Sequence, residues 1–122
     1  MVFPKIFCGL ELKLILEETI KQQSSSLKKT CDSGYADSCG VLGILYMNGQ
    51  GVKQDYNKAA ELFEKACNGE NAQGCYNLGF LYVKGQGVRQ DYRIAKEYFG
   101  ESCDLGHQNG CDTYKKLNEK GF

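Results

Sequence analysis

The residues with the most distinctive chemistry in this sequence are its seven cysteines, a large number for a chain of 122 residues. Cysteines at this frequency in a short chain usually form disulfides or bind metal. Six of them form three pairs with a Cys-x7-Cys spacing: Cys31 and Cys39, Cys67 and Cys75, Cys103 and Cys111. Structural zinc sites favour cysteines two to four residues apart and take four ligands. The spacing therefore favours disulfides and predicts no metal and no cofactor.

The pairing of these six cysteines is not fixed by their spacing. Bonds within the three pairs would each close a short loop. A bond between Cys39 and Cys67 is an open alternative, because both residues are expected at the same end of neighbouring helices. With either pairing, disulfides predict a periplasmic or secreted protein. Cys8 has no partner in the repeat pattern.

Two overlapping Ser-x-x-Lys motifs, which start at Ser25 and Ser26, are a second pattern with catalytic potential. In serine β-lactamases and penicillin-binding proteins, this lysine can assist the serine in attacking the lactam carbonyl. The accompanying Ser-Asp-Asn and Lys-Thr-Gly elements are absent from the chain. The single histidine, His107, is predicted to be a solvated turn residue rather than a base. The catalytic residues of any enzymatic activity are therefore unknown from the sequence.

An internal repeat of 36 residues must position these groups. Residues 35–70 align with residues 71–106, and nearly half of the aligned positions are identical. The repeats share a Leu-Gly pair, a tyrosine three residues later, Gly-Gln-Gly-Val, Gln-Asp-Tyr and two cysteines. Half repeats at residues 24–34 and 107–122 flank the two whole ones. Repetition at this period predicts a solenoid.

Each repeat is predicted to be a hairpin of two helices. Apolar residues recur at helical spacing in both halves of the repeat, from Cys39 to Tyr46 and from Tyr56 to Cys67. Gly49 is placed to end the first helix, and Asp55 to cap the second. One hairpin cannot bury its own apolar face, so the hairpins should stack. The predicted fold is an all-α solenoid, an α/α right-handed superhelix stapled by disulfides.

These repeated residues resemble the Sel1-like branch of the tetratricopeptide-type repeats. The cysteine spacing is also similar to that of the Helicobacter cysteine-rich protein family. This resemblance implies bonds within the three Cys-x7-Cys pairs. It also implies penicillin binding with weak β-lactamase activity, which would make the protein a hydrolase. Sel1-like arrays more broadly imply the alternative function, a non-enzymatic adaptor that binds proteins or peptides in its concave groove.

The first 23 residues match no repeat. Charged residues interrupt their apolar part, so no signal peptide is predicted. A helix over residues 10–23, with Leu12, Ile15, Leu16 and Ile20 on one side, is expected to cap the open end of the array.

A candidate groove lies along one face of the first helix in each repeat. The residues on this face differ between repeats, whereas the packing residues are shared. In the first repeat they are Asp37, Val41, Ile44 and Asn48, and in the second Gln73, Asn77, Phe80 and Lys84. Amide and lysine groups beside exposed apolar side chains suit a β-lactam, peptide or protein ligand that carries a carboxylate.

Charge and hydropathy exclude two classes of partner. Fifteen basic and fifteen acidic residues give a net charge of zero, which provides no positive field for nucleic acid. The uncharged runs of the sequence are shorter than a membrane-spanning helix requires. We therefore expect no nucleic acid and no membrane insertion.

Overall fold

Six helices make up the described part of the chain. The computed structural model describes the backbone of residues 10–122 and the side chains of residue 19 and residues 21–122. Over this range there is no strand, and the helices are α1 (Leu10–Asp32), α2 (Ala36–Asn48), α3 (Tyr56–Asn68), α4 (Ala72–Lys84), α5 (Tyr92–Asp104) and α6 (Gln108–Glu119). Each helix packs against the next one along the chain, and α2 also contacts α4. The predicted all-α repeat fold is confirmed.

The first helix is longer than the sequence analysis expects. Helix α1 runs without a break over the predicted helix at residues 10–23 and the half repeat that follows. No glycine or proline occurs between residues 10 and 32, so nothing in the sequence stops the helix earlier. The side chains of Leu12, Ile15, Leu16 and Ile20, and the whole of Cys8, lie outside the described residues.

Capping residues define the ends of the hairpin helices as the sequence predicts. Gly49 ends α2 in the left-handed conformation with φ of 68°, where glycine pays no steric penalty. The carboxylate of Asp55 accepts a hydrogen bond from the Lys58 N–H at 3.1 Å and so caps α3. Asn71 caps α4 in the same way, accepting from the Gly74 N–H at 2.7 Å.

In the turn between α3 and α4, the left-handed residue is not the glycine. Gly69 has φ of −88°, and the left-handed residue is Glu70, with φ of 66°. A Cβ atom on Gly69 would lie 2.5 Å from Cβ of Ala36, closer than van der Waals contact allows. Gly69 is therefore explained by the close approach of α3 to the start of α2, and not by its φ angle.

The core repeats with the sequence. Phe63 of α3 and Phe99 of α5 are fully buried, each against a glycine of the preceding first helix, Gly43 or Gly79. Tyr98 stacks on Tyr82 with ring centroids 5.7 Å apart. Burial raises the pKa of Tyr98 above its usual value, and Tyr82 and three neighbouring glutamates raise it further.

Three disulfides join successive hairpins along the stack. They join Cys31 to Cys39, Cys67 to Cys75, and Cys103 to Cys111, with Cα atoms 4.7, 4.6 and 4.4 Å apart. This is the pairing that the family resemblance implies, and the alternative Cys39–Cys67 bond is not formed. Each bridge links the end of one hairpin to the first turn of the next helix. It therefore fixes how successive hairpins meet.

Candidate ligand groove

A groove of about 590 Å³ lies between the C-terminal end of α2 and one face of α4. We call it the α2–α4 groove. Its lining residues are Met47, Asn48, Gln54, Tyr56, Tyr76, Asn77, Phe80, Leu81, Lys84 and Gln86. Aromatic and apolar walls with a few polar groups are typical of ligand sites in proteins.

The structure brings together half of the residues that the sequence analysis assigns to a groove. Asn77, Phe80 and Lys84 lie on one face of α4, because residues three and four apart share a helix face. Asn48 completes the opposite wall at the end of α2. Gln73 lies one turn before Asn77, and its Nε2 donates a hydrogen bond to Asn77 Oδ1 at 3.1 Å.

Gln73 and the other three predicted residues do not line this groove. Ile44 is half-buried and packs on the core cluster around Phe63. Asp37 accepts a hydrogen bond from Asn71 Nδ2 at 2.6 Å and so joins two helices. Val41 faces α1 and lines a separate cavity of about 480 Å³.

The sequence analysis missed the residues that form the walls of the groove. Gln54 and Tyr56 are identical in both repeats, so a search among variable positions passes over them. Gln54 Nε2 donates to the Met47 carbonyl at 2.8 Å and contacts the Tyr56 hydroxyl at 3.2 Å, which holds this wall in place. Tyr76 could have been found, because it replaces Gly40 of the preceding repeat and adds a large ring at an otherwise small position.

The two polar groups on α4 are hydrogen-bond donors. Lys84 Nζ lies 5.4 Å from the centre of the Phe80 ring, a cation–π distance. Asn77 Oδ1 accepts a hydrogen bond from Gln73, so the Asn77 amide nitrogen, which has no partner among the described residues, is directed away from Gln73 and is available to a ligand. Tyr76 and Phe80, with centroids 5.7 Å apart, provide an aromatic surface beside these donors. The groove therefore combines positive charge, an N–H donor and aromatic area.

The candidate nucleophiles do not lie in this groove. Ser25 and Ser26 are exposed on α1, and Ser25 Oγ donates to the Lys21 carbonyl at 3.3 Å. Ser26 lines the cavity beside Val41 instead. No base is positioned to activate either hydroxyl among the hydrogen bonds of the described residues.

One cluster of potential metal ligands exists within the described range, formed by Cys67, Cys75 and Glu101. Glu101 Oε2 lies 3.1 Å from Cys67 Sγ and 4.0 Å from Cys75 Sγ. Both sulfur atoms are joined to each other in a disulfide. A cysteine binds a metal as its thiolate, so the two bridged sulfur atoms are not available as ligands in this oxidised form.

His107 is an N-cap as well as a turn residue, a role that the sequence analysis did not foresee. Its Nδ1 accepts a hydrogen bond from the Gly110 N–H at 3.2 Å and so caps α6. The ring packs against Tyr76 with centroids 4.8 Å apart.

The fold and the bridges define this chain as a disulfide-stapled solenoid of helical hairpin repeats. The Sel1 repeat family matches residues 36–71 and 72–107, which is more than half of the chain. The chain belongs to the Sel1 repeat family. No functionally curated protein matches the sequence.

Three solved structures illustrate this relationship. Cysteine-rich protein B of Helicobacter pylori is 34% identical, with a TM-score of 0.73 over 84% of this chain and 78% of that one. A protective antigen of uropathogenic Escherichia coli with an SLR fold is 26% identical, with a TM-score of 0.79 over 84% of this chain and 22% of its own. A Sel1 repeat protein from Oxalobacter formigenes is 21% identical, with a TM-score of 0.79 over 83% and 42% of the two chains, and it supports the fold alone.

Two further findings bear on the setting of the protein. The three disulfides indicate an oxidising, extracytoplasmic environment. Among the described helices, none combines the length and the apolar composition that crossing a membrane requires.

Proposed function

We propose that this protein is a non-enzymatic adaptor that binds a peptide or protein segment in the α2–α4 groove, in the periplasm or outside the cell. Sel1 repeats typically mediate protein–protein interaction, and this groove combines hydrogen-bond donors with aromatic walls. The observation that carries the proposal is the placement of Asn77 and Lys84 on one face of α4, with Phe80 between them. A carboxylate beside an apolar side chain matches this arrangement.

The β-lactamase activity implied by the family resemblance remains a prediction without structural support. The exposed serines of α1 lack a base, and the residues that line the groove include no serine, cysteine or histidine that could attack a lactam. Incubation with a chromogenic cephalosporin tests this activity directly. Turnover above background would show that the protein is an enzyme. Turnover that persists in a Ser25→Ala, Ser26→Ala double variant would place the chemistry elsewhere than on these serines.

Peptide binding is tested with an arrayed library of octapeptides, each made both as a free acid and as a C-terminal amide. The strongest binder is then titrated calorimetrically into the wild-type protein and its variants. Asn77→Ala and Lys84→Ala should each weaken binding by about 1–3 kcal/mol, because each loses a hydrogen bond to a charged group. Thermal stability should change little, since neither side chain is part of the buried core.

Two matched substitutions outside the groove provide the control. Asn68→Ala and Lys58→Ala remove the same functional groups from exposed positions on α3. These variants should bind like the wild type. If the two groove variants keep full affinity, or the two control variants lose it equally, the ligand does not occupy the α2–α4 groove.

A further inference from the structure

The caps of α4 and α6 each reach back to the preceding repeat. Asn71, the cap of α4, donates through Nδ2 to Asp37 Oδ1 at 2.6 Å. His107, the cap of α6, occupies the equivalent position one repeat later, and its Nε2 lies 3.0 Å from Oε1 of Gln73. Gln73 occupies the position in the second repeat that Asp37 occupies in the first. The same contact is therefore made twice, with different side chains.

The capping hydrogen bond of His107 determines which atom donates in the contact between His107 and Gln73. The Gly110 N–H donates to His107 Nδ1, so that nitrogen carries no proton. In the neutral ring the proton must then be on Nε2, which donates to Gln73 Oε1. The Gln73 amide is thereby oriented with its nitrogen toward Asn77, and it donates to Asn77 Oδ1.

This chain of hydrogen bonds ends at the groove and determines what Asn77 presents there. Because its oxygen is directed toward Gln73, Asn77 turns its NH2 away from Gln73 and toward the groove, and this group can only donate. Lys84 on the same face also only donates. The first repeat cannot build such a chain, because the Asp37 carboxylate has no proton to pass on and Val41 stands where Asn77 does.

Resting on the proposed function, we infer that His107 and Gln73 are positioning residues that lock the Asn77 amide with its NH2 toward the ligand. The groove centre then selects a carboxylate over a neutral amide. The carboxylate is supplied either by a peptide C-terminus or by an acidic side chain. The free-acid and amide forms of the library distinguish these sources: a C-terminal carboxylate is lost in the amide form, whereas an acidic side chain is retained in both.

The inference is tested with two variants of the cap. His107→Asn keeps an N-cap and an N–H donor toward Gln73, as Asn71 does toward Asp37, so it should preserve the relay. His107→Asp also keeps an N-cap but only accepts. Gln73 must then turn its NH2 toward the introduced aspartate, and Asn77 must turn its oxygen toward the groove.

The measured quantity is the ratio of two affinities, that of the best peptide in its carboxylate form and that of its amide counterpart. The amide replaces the C-terminal carboxylate or the acidic side chain, whichever the library identifies as the bound group. Wild type and His107→Asn should show the same preference. His107→Asp should reduce it by roughly tenfold, the effect of one hydrogen bond to a charged group. Titrations at about 0.5 M salt screen the added charge but leave the hydrogen-bond geometry intact.

The possible outcomes separate the two proposals. If no peptide of either form binds the wild type, the proposed function fails. If a peptide binds and depends on Asn77 and Lys84, but His107→Asp leaves the preference unchanged or His107→Asn abolishes it, the relay is wrong while the groove stands. Long-range proton–nitrogen correlation spectra of His107 give an independent readout. A proton on Nδ1 instead of Nε2 would overturn the relay.

Discussion

At the scale of single residues, Glu70 is a local conflict between sequence and backbone. It is the one non-glycine residue with positive φ in the described chain, at a repeat position held by Gly34 and Gly106 elsewhere. A side chain in the left-handed region costs about 1–2 kcal/mol, and glycine loses about 0.5–1 kcal/mol through its greater freedom when unfolded. Glu70→Gly should therefore stabilise the protein by about 0.5–1 kcal/mol in urea unfolding.

The reverse change provides the control for Glu70. Gly106 has φ of 94°, and a Cβ placed there meets nothing within 4 Å. Gly106→Ala should destabilise the protein by about 1 kcal/mol through backbone strain alone. Equal unfolding midpoints for both variants and the wild type would contradict this account.

Gly79 has a packing role that does not depend on its φ angle. A Cβ atom there would lie 2.9 Å from Cε1 of the buried Phe99 ring. Gly79→Ala should destabilise the fold by about 1–3 kcal/mol, the usual cost of overpacking, partly offset by the helix preference of alanine. Thermal denaturation measures the effect.

Gly100→Ala is the matched helical control for Gly79. The nearest atoms there belong to the exposed ring of Tyr114, which can move aside. The substitution should be neutral or stabilising by up to about 1 kcal/mol. A loss as large as that of Gly79→Ala would show that contact with Phe99 is not what makes Gly79→Ala destabilising.

At the scale of elements, the three bridges close loops of the same length but differ in burial. The central cysteines are buried, with Cys75 fully inaccessible, whereas Cys103 and Cys111 are half-buried. The chain-entropy model assigns each bridge about 2.6 kcal/mol. Replacing Cys67 and Cys75 together by alanine should cost more than replacing Cys103 and Cys111, by about 1–2 kcal/mol, because it also leaves a cavity.

Calorimetric melting of the two double-alanine variants measures this difference. Intact mass spectrometry after alkylation provides the control, since each variant should retain two of the three bridges. If the variant that lacks the Cys103–Cys111 bridge melts at or below the temperature of the variant that lacks the Cys67–Cys75 bridge, burial does not determine how much a bridge contributes to stability.

At the scale of the whole molecule, stability should follow position in the stack. Helices α3 and α4 have neighbours on both sides, whereas among the described elements α6 packs mainly against α5. In a repeat array each unit is stabilised mainly by its neighbours, so α6 should open before α3 and α4. We expect backbone amides of α3 and α4 to exchange with deuterium roughly tenfold more slowly than those of α6. Uniform protection in all helices would instead indicate a single cooperative unit.

Much of this architecture could be predicted from the sequence because its determinants are local. The repeat period, the helical spacing of apolar residues and the caps at Gly49 and Asp55 depend on residues within one turn or one hairpin. Four of the ten groove residues, Asn48, Asn77, Phe80 and Lys84, were predictable for the same reason. Asn77, Phe80 and Lys84 share a face whenever the segment is helical.

Contacts between repeats were decided by the tertiary structure. The bridge partners, the close approach that requires Gly69, and the groove wall of Gln54 and Tyr56 all depend on how neighbouring hairpins stack. The relay from His107 to Asn77 joins residues 30 positions apart and needs the orientation of every donor along it. Sequence periodicity fixes which face of a helix a residue occupies, whereas packing geometry fixes which atom it meets there.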